Sequence, residues 1–324
     1  MTKLRSNQAP RLDLYQQVTN QIIAALEQGV RPWTQPWSAN HLATRVSRPL
    51  RARGKPYRGI NVLILWLTGT AKAYRSPFWL TFKQAVDLGG HVRKGEKSTP
   101  VCYYDTFTKE TVDDTGATHE ERIPFLKHYT AFNAEQCDGL PAHFHPPVLP
   151  EPTQEADAGR IAAVDRFIAN LGAEITHGGT RACYSQSADR ISMPPFATFT
   201  TPESYYSTLL HEIVHSTKHP SRLDRDCGRK HWGDEGYARE ELVAELGSAY
   251  LCADLEIGLT ERDDHASYIS SWLTVLKNDK RAIFHAAALA ERAASWLHAR
   301  QPGAGEGDPE PSAGDGPQPL VIAA

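Results

Sequence analysis

The motif His211-Glu212-Ile-Val-His215 constrains the fold of this chain more than any other feature. Two histidines four residues apart lie on one face of an α-helix, so both imidazoles can bind a single Zn²⁺. Thr201 and Pro202 suit the cap and first turn of a helix that runs through the motif. Glu212 is then the candidate general base, because its carboxylate can accept a proton from an attacking water. The pattern predicts a buried helix that carries a metal centre.

Two simple sources of a third ligand are disfavoured. A metzincin would have a glycine at position 218 and a histidine at position 221, but the chain has Lys218 and Ser221 there. His219 precedes Pro220, where a helix is expected to end. It would also lie about 6 Å further along the helix axis than His215, too far to converge easily on one ion.

A later predicted helix offers a better third ligand. Glu241 and Glu245 lie one turn apart on it, and glutamates on a helix after HExxH build His₂Glu zinc sites. We expect Glu241 to bind the metal and Glu245 to hold a ligand histidine through its other ring nitrogen. Glu240 is the nearest competitor for the ligand position. A solvated helix face is the plain alternative for Glu241 and Glu245.

The charge of the chain is divided unevenly along its length. Residues 1–100 contain 16 Lys and Arg against four Asp and Glu, a net charge of +12, while the remainder carries −15. A division of this size indicates a polyanion-binding part joined to a part with another role. A solvated basic surface is an equally open interpretation.

Aromatic residues accompany these cations, as in proteins that pair phosphate contacts with base stacking on single strands. Two tryptophans follow prolines, and for them stacking and packing are equally open. The basic stretch 45–58 favours phosphate contact, and two lysines in a glycine-bounded turn are weaker candidates. The predicted DNA-binding residues are Trp33, Trp37, Arg45, Arg48, Arg51, Arg53, Lys55, Tyr57, Arg58, Lys94 and Lys97.

Apolar periodicity and turn residues predict two domains of the α+β class. Residues 1–140 form the first domain, the proline-rich residues 141–157 a linker, residues 158–300 the second domain, and residues 301–324 a disordered tail. The first domain is expected to contain a helix over 10–29, a helix start within residues 79–85, and strands at 101–104 and 125–132. The second is expected to contain a strand at 190–193 and helices near 158–171, 202–218, 237–257 and 280–299.

Composition excludes several protein classes. The longest apolar stretch, Ile60–Leu67, is far shorter than the ~18–20 residues of a membrane helix. No apolar segment near Met1 resembles a signal peptide. Five scattered cysteines without a CxxC pair are typical of reduced thiols. We therefore expect a cytoplasmic protein without a membrane partner.

Both halves of the sequence resemble ArdC-type antirestriction proteins. In the first half the resemblance rests on residues 32–37 with their two Pro-Trp pairs, 57–62, 79–81, 89–96 and 132–136. In the second half it rests on residues 210–215, 222–225 and 239–245, and the whole covers about residues 10–300. The residue four after Glu241 departs from the general zincin pattern, since Glu245 stands where Asp or Asn is common.

The resemblance implies a small α+β domain that binds single-stranded DNA and a zincin-like metallopeptidase domain of the gluzincin type with Zn²⁺. Such a protein is carried by conjugative plasmids or other mobile elements and protects incoming DNA from host restriction. Transfer to the recipient cell with conjugating DNA, and a host restriction endonuclease or another protein as substrate, are further expectations.

Two other interpretations remain open from the sequence. One is a DNA-binding or interaction protein with a structural or vestigial zinc site and no peptidase activity. The other is a processing protease that DNA regulates. Cleavage of a candidate protein by the wild type but not by Glu212→Gln would separate the enzymes from the binding protein.

Overall fold

The computed structural model describes residues 13–33, 47–112, 118–145, 154–228, 234–258 and 265–304. The N-terminal elements are α1 (Leu14–Glu27), α2 (Ile60–Lys72), β1 (Trp79–Leu80), α3 (Phe82–Asp87), β2 (His91–Val92), β3 (Thr99–Val112), β4 (Thr118–Asn133) and β5 (Cys137–Asp138). The C-terminal elements are α4 (Gln154–Ala169), β6 (Glu174–His177), β7 (Cys183–Ser185), β8 (Arg190–Met193), α5 (Pro202–Ser216), α6 (Glu235–Asp254), α7 (His265–Asn278) and α8 (Ala282–His298). Helices and strands occur in both halves, which confirms the predicted α+β class.

Local sequence signals explain how helix α1 begins and ends. The Asp13 carboxylate accepts the backbone N–H of Gln16 at 2.8 Å, which caps the helix. Val18 and Ile22 lie on its buried face. Gly29 follows with a φ of 74°, a backbone conformation that favours glycine after a helix. The helix predicted over 10–29 is confirmed for its central part.

Three small sheets complete the fold. Strands β3 and β4 form a long antiparallel hairpin, paired from Thr99–Ala131 to Val112–Thr118, and β1 adds to β4. Strands β2 and β5 pair separately, and β8 lies between β6 and β7. The two strands predicted at 101–104 and 125–132 are therefore confirmed as parts of one hairpin. The sequence reasoning did not find β6 and β7, which are only four and three residues long. It also missed α7, although Trp272, Val275 and Leu276 recur there at helical spacing and are buried.

Helices α5 and α6 approach each other closely, and a glycine makes this possible. A Cβ added at Gly247 on α6 would lie 2.8 Å from Cγ1 of Val214 on α5. Any larger residue would force the side chain of Val214 or the helices to shift, because real Cβ contacts are not this short. This contact brings the second turn of α6 beside the HExxH motif.

The two halves of the chain share one hydrophobic core. Buried residues from Val18 to Leu297 form a single cluster that joins α1 and α2 to α5–α8. Tyr15 on α1 packs against Phe284 on α8 with ring centroids 4.6 Å apart. Tyr250 on α6 donates a hydrogen bond to the carbonyl of Gly59, which precedes α2. Packing of α1 and α2 therefore depends on the C-terminal helices.

Part of the predicted linker packs against the first domain. A 3-10 helix spans Ala142–Phe144, and Phe144 is fully buried against Leu80 and Ala134. Residues 146–153 and the predicted tail beyond residue 304 lie outside the described residues. Within the described residues, no helix is long and apolar enough to cross a membrane.

Candidate metal centre

Helix α5 presents the two motif histidines on its buried face. The Thr201 hydroxyl accepts the backbone N–H of Ser204, and Pro202 occupies the first turn, so the helix begins as its sequence predicts. His211 and His215 lie one turn apart with ring centroids separated by 4.8 Å. Their exposed fractions are 4% and 6%. The helix therefore carries two imidazoles on one face, shielded from solvent.

Glu241 on α6 faces both histidines. Its Oε2 lies 3.5 Å from His211 Nε2, and its Oε1 lies 3.4 Å from His215 Nε2. Ligand atoms about 2.0–2.1 Å from a tetrahedral zinc ion are about 3.3 Å from one another. Within the described residues, these three form the one His/Cys/Asp/Glu group whose ligand atoms converge, all within 4.8 Å. The donor set and spacing fit a divalent metal of the His₂Glu type.

Glu240, the competitor for the ligand position, holds a histidine. Its Oε1 lies 3.0 Å from His215 Nδ1. Arg225 donates to both of its oxygens, from Nη2 to Oε1 at 2.8 Å and from Nε to Oε2 at 2.9 Å. Arg225 also donates to the Val214 carbonyl and to the Thr217 hydroxyl. A buried carboxylate with these partners orients the ring of His215, so its Nε2 faces Glu241.

Glu245 has the corresponding position behind His211. Its Oε2 lies 3.7 Å from His211 Nδ1, slightly longer than a hydrogen bond. Its Oε1 accepts the indole N–H of Trp33 at 3.0 Å and lies 3.4 Å from Nη1 of Arg31. The structure thus places Glu245 beside His211, one of the two motif histidines.

Charges around the site keep both inner carboxylates ionised. Burial disfavours the charged form of His215, but Glu241 and Glu240 outweigh it and raise its pKa to about 9. Burial likewise opposes ionisation of Glu240, yet Arg225 and His215 lower its pKa to about 2. For Glu241, His215 and His211 outweigh burial and hold the pKa well below its usual range. Both glutamates are therefore anionic at neutral pH, as metal ligation and histidine orientation require.

Glu212 and His219, the other candidates in and after the motif, do not belong to the converging group. Glu212 is buried next to His211 in the motif, with an exposed fraction of 3%. His219 lies beyond the end of α5, and its Nδ1 is 2.7 Å from the Ser221 hydroxyl. It does not belong to the converging group, in agreement with its position before Pro220.

Three of the predicted DNA-binding residues are buried in the fold. The exposed fractions of Trp33, Tyr57 and Arg48 are 1%, 2% and 5%. Arg48 forms ion pairs of 2.7 Å with both Asp254 and Glu291. Base stacking needs a free ring face and phosphate binding needs an accessible cation. These three residues therefore support the fold, and we remove them from the predicted DNA contacts.

The other predicted DNA-binding residues are more accessible or lie outside the described residues. The guanidinium of Arg51 is partly buried, 5.3 Å from the centroid of the Tyr57 ring. Trp37 and Arg45 fall among residues that the structure does not describe. The exposed cations of the set are Arg53, Lys55, Arg58, Lys94 and Lys97.

This chain is similar to known proteins both in sequence and in fold. A profile described as the N-terminal domain of anti-restriction factor ArdC matches residues 12–132, and one described as a zincin-like metallopeptidase matches residues 162–289. The metal-free crystal structure of antirestriction ArdC protein from plasmid R388 is 45% identical, with a TM-score of 0.74. The match covers 89% of this chain and 98% of that one. The chain belongs to the ArdC antirestriction family. The resemblance seen in the sequence is thereby confirmed.

Other relatives extend the comparison. A Mn(II)-bound crystal structure of the R388 ArdC protein is 43% identical, has a TM-score of 0.71, and covers 89% of this chain and 98% of that one. Protein y4eC of Sinorhizobium fredii is 41% identical over 307 residues, 93% of this chain and 96% of that protein. A DNA primase TraC of Escherichia coli is 38% identical over 294 residues, 86% of this chain. The chain spans only 26% of the length of that primase.

The structure also shows site residues that sequence reasoning missed. One is Arg225, which donates hydrogen bonds to Glu240. The two residues lie in separate segments that both carry the ArdC resemblance, and only the fold brings these segments together. On the ArdC N-terminal domain, Phe82 is 59% exposed in the first turn of α3. The capping box between Thr81 and Gln84 is readable from the sequence and predicts that turn. The outward direction of Phe82 depends on tertiary packing.

Proposed function

We propose that this chain is an antirestriction protein that binds single-stranded DNA and holds one Zn²⁺ in a metallopeptidase-type centre. The observation that carries the metal part is the convergence of His211, His215 and Glu241 within 4.8 Å. Two imidazole nitrogens and a carboxylate suit Zn²⁺ and leave a fourth position for substrate. The R388 ArdC protein has been crystallised with Mn(II), which supports a divalent metal in this family.

The proposed chemistry is peptide hydrolysis. Bound Zn²⁺ would supply Lewis acidity toward a substrate carbonyl. His211, His215 and Glu241 would hold the ion, while Glu240 and Glu245 orient the two histidines. We assign Glu212 as the group that accepts the proton of the attacking water, because it is a buried carboxylate between the two ligand histidines in sequence. The protein substrate, for which a host restriction endonuclease is our candidate, would meet this chain in the cytoplasm of a cell that receives foreign DNA.

We further propose that single-stranded DNA contacts the turn at residues 51–55 and the neighbouring start of α3. Leu50 pairs with both Pro56 and Phe78, so the turn 51–55 runs beside β1, and Ala52 packs near Leu80. This turn carries the exposed cations Arg53 and Lys55, and α3 begins two residues after Leu80 with the exposed Phe82. Cations for phosphates next to a free aromatic ring suit single strands better than duplexes, because stacking needs unpaired bases.

A second candidate function is supported by the burial of the centre. All three ligands and Glu212 have exposed fractions of 3–7%, which leaves little room for a polypeptide. A structural ion would explain this burial, since structural sites are closed to solvent and catalytic ones keep an open position. The protein would then protect DNA by occupying it, without cleaving anything.

One experiment separates these functions in the full-length chain. Protection of transferred DNA from a restricting host is measured for the wild type, Glu212→Gln and the pair Arg53→Glu/Lys55→Glu. The matched control is Arg181→Glu/Arg292→Glu, which changes the charge equally at exposed positions of the second domain. Loss of protection in Glu212→Gln supports the enzyme. Loss of protection only in Arg53→Glu/Lys55→Glu supports the binding protein. Full protection in both variants contradicts the proposed function.

A further inference from the structure

Two residues of the ArdC N-terminal domain reach into the metal domain and bind Glu245. Trp33 donates its indole N–H to Glu245 Oε1 at 3.0 Å, and Arg31 Nη1 lies 3.4 Å from the same oxygen. The side chains of Arg31 and Glu245 are each only 4% exposed. A buried carboxylate needs such partners, since an ionised group without them is costly in the protein interior.

The other oxygen of the same carboxylate faces a metal ligand. Glu245 Oε2 lies 3.7 Å from Nδ1 of His211, a buried nitrogen with no hydrogen-bond partner within the described residues. Nδ1 is the ring nitrogen on the side away from Glu241, since Nε2 faces that ligand. A ligand histidine usually donates its second N–H to a carboxylate, which fixes the ring and strengthens metal binding. Glu245 is the partner available to His211.

The two ligand histidines are thus supported from different parts of the chain. His215 is oriented by Glu240, and Arg225 of the metal domain fixes that carboxylate with two hydrogen bonds. His211 depends on Glu245, which is fixed from residues 31–33. The metal domain therefore orients His215 with its own residues. The residues that fix Glu245 behind His211 lie more than 200 positions earlier in the chain.

We propose that Trp33 and Arg31 are positioning residues of the metal centre, which hold Glu245 so that it orients His211. Metal affinity then depends on the contacts of residues 31–33 with Glu245, so the N-terminal domain completes the centre. This inference rests on the metal site of the proposed function and holds whether the ion is catalytic or structural.

The chain offers a matched pair of variants that separates the hydrogen bond from ring packing. Trp33 and Trp272 pack edge to face with centroids 5.7 Å apart, and each is 1% exposed. The indole N–H of Trp33 is bound to Glu245, whereas Nε1 of Trp272 has no hydrogen-bond partner within the described residues. Trp33→Phe and Trp272→Phe therefore remove similar volume from one contact, but only the first removes a donor from Glu245.

The test measures the Zn²⁺ affinity of the full-length protein by competition with a chromophoric chelator. We expect Trp33→Phe to weaken Zn²⁺ binding by about 10–100-fold, the usual effect of losing a partner behind a metal ligand. Trp272→Phe should stay within about threefold of the wild type, a small change because it leaves this network intact. The visible spectrum of the Co²⁺-substituted protein should change in Trp33→Phe and not in Trp272→Phe, because it reports ligand geometry. Urea unfolding of the metal-free variants compares the loss of packing in the two.

Each outcome decides the question. Equal affinity losses in the two variants, or an unchanged affinity in Trp33→Phe, would overturn the proposal. If Trp33→Phe does not fold, Arg31→Gln is measured in the same way, and wild-type affinity in that variant would overturn it. A wild-type chain that binds neither Zn²⁺ nor Mn²⁺ would instead contradict the metal site of the proposed function itself.

Discussion

Gly247 on α6 lies so close to Val214 on α5 that an added Cβ would be 2.8 Å from Cγ1 of the valine. Glu241 is on α6 and His211 and His215 are on α5, so this helix contact also affects the spacing of the three candidate ligands. The absence of a side chain at position 247 therefore allows α5 and α6 to bring the three candidate ligands together.

Gly247→Ala should destabilise the protein by about 1–3 kcal/mol, the usual cost of overpacking a buried contact. The measurement is urea unfolding of the metal-free chain. Gly69→Ala is the control, because its Cβ would meet its nearest neighbour, Trp79, at an ordinary 3.8 Å. That change should stabilise helix α2 by about 0.5–1 kcal/mol. Similar losses in both variants would refute the close approach of α5 and α6.

Glu241→Gln and Glu240→Gln should weaken metal binding to different degrees. Loss of the Glu241 carboxylate leaves two protein ligands, so stoichiometric zinc should be lost on dialysis. Glu240→Gln should retain one ion at saturation but bind it about 10–100-fold more weakly, because Glu240 orients His215. Elemental analysis and chelator competition measure the two effects. Full zinc content in Glu241→Gln would contradict the ligand assignment.

Arg48→Met should lower stability without weakening DNA binding. The guanidinium is 5% exposed between Asp254 and Glu291, and its removal leaves two partly buried carboxylates without it. We expect a loss of about 3 kcal/mol in the free energy of unfolding. Arg58→Met is the control, since Arg58 is 60% exposed and 3.9 Å from Glu291. That exposed pair should contribute about 0–1 kcal/mol. A lower salt dependence of DNA binding in Arg48→Met would show that Arg48 contacts a phosphate after all.

Single-strand binding should separate into ionic and stacking contributions in the full-length chain. Arg53→Gln/Lys55→Gln should reduce the log–log salt slope by about 1.4, or about 0.7 for each phosphate contact. Phe82→Ala should weaken binding by about 1–3 kcal/mol and leave the slope unchanged, because stacking releases no counterions. Phe196→Ala is the control, because Phe196 is also an exposed ring, at 48%, and lies on the second domain. Equal affinity for duplex and single strand would contradict this assignment.

Cleavage of the proline-rich linker should not separate the two halves. Limited proteolysis is expected to cut within residues 141–157, where five of the seventeen residues are prolines. The fragments should elute together in size-exclusion chromatography, because α1 packs against α7 and α8 and Arg48 pairs across the halves. They should separate in denaturant. Fragments that elute apart in native buffer would show that the shared core contributes little to the association of the two halves.

Local sequence determined the elements that carry the chemistry. The four-residue spacing of His211 and His215 corresponds to about one helical turn, so the helix alone brings both imidazoles to one face. Thr201 and Pro202 mark the start of that helix, and Asp13 marks the start of α1, because capping depends on residues within one turn. The ArdC family, which the comparisons confirm, was also readable from sequence motifs.

Tertiary structure decided which residues point inward and what they contact. Glu240 and Glu241 are adjacent on one helix, and only the approach of α5 makes one a candidate ligand and the other a partner of His215. Trp33 and Arg48 have the residue types of a DNA surface. In the structure Trp33 contacts α6 and α7 and Arg48 contacts α6 and α8, so both are buried, while Phe82 remains exposed. Residue type sets what a side chain can bind. Burial depends on elements hundreds of positions away, whose packing a local pattern does not encode.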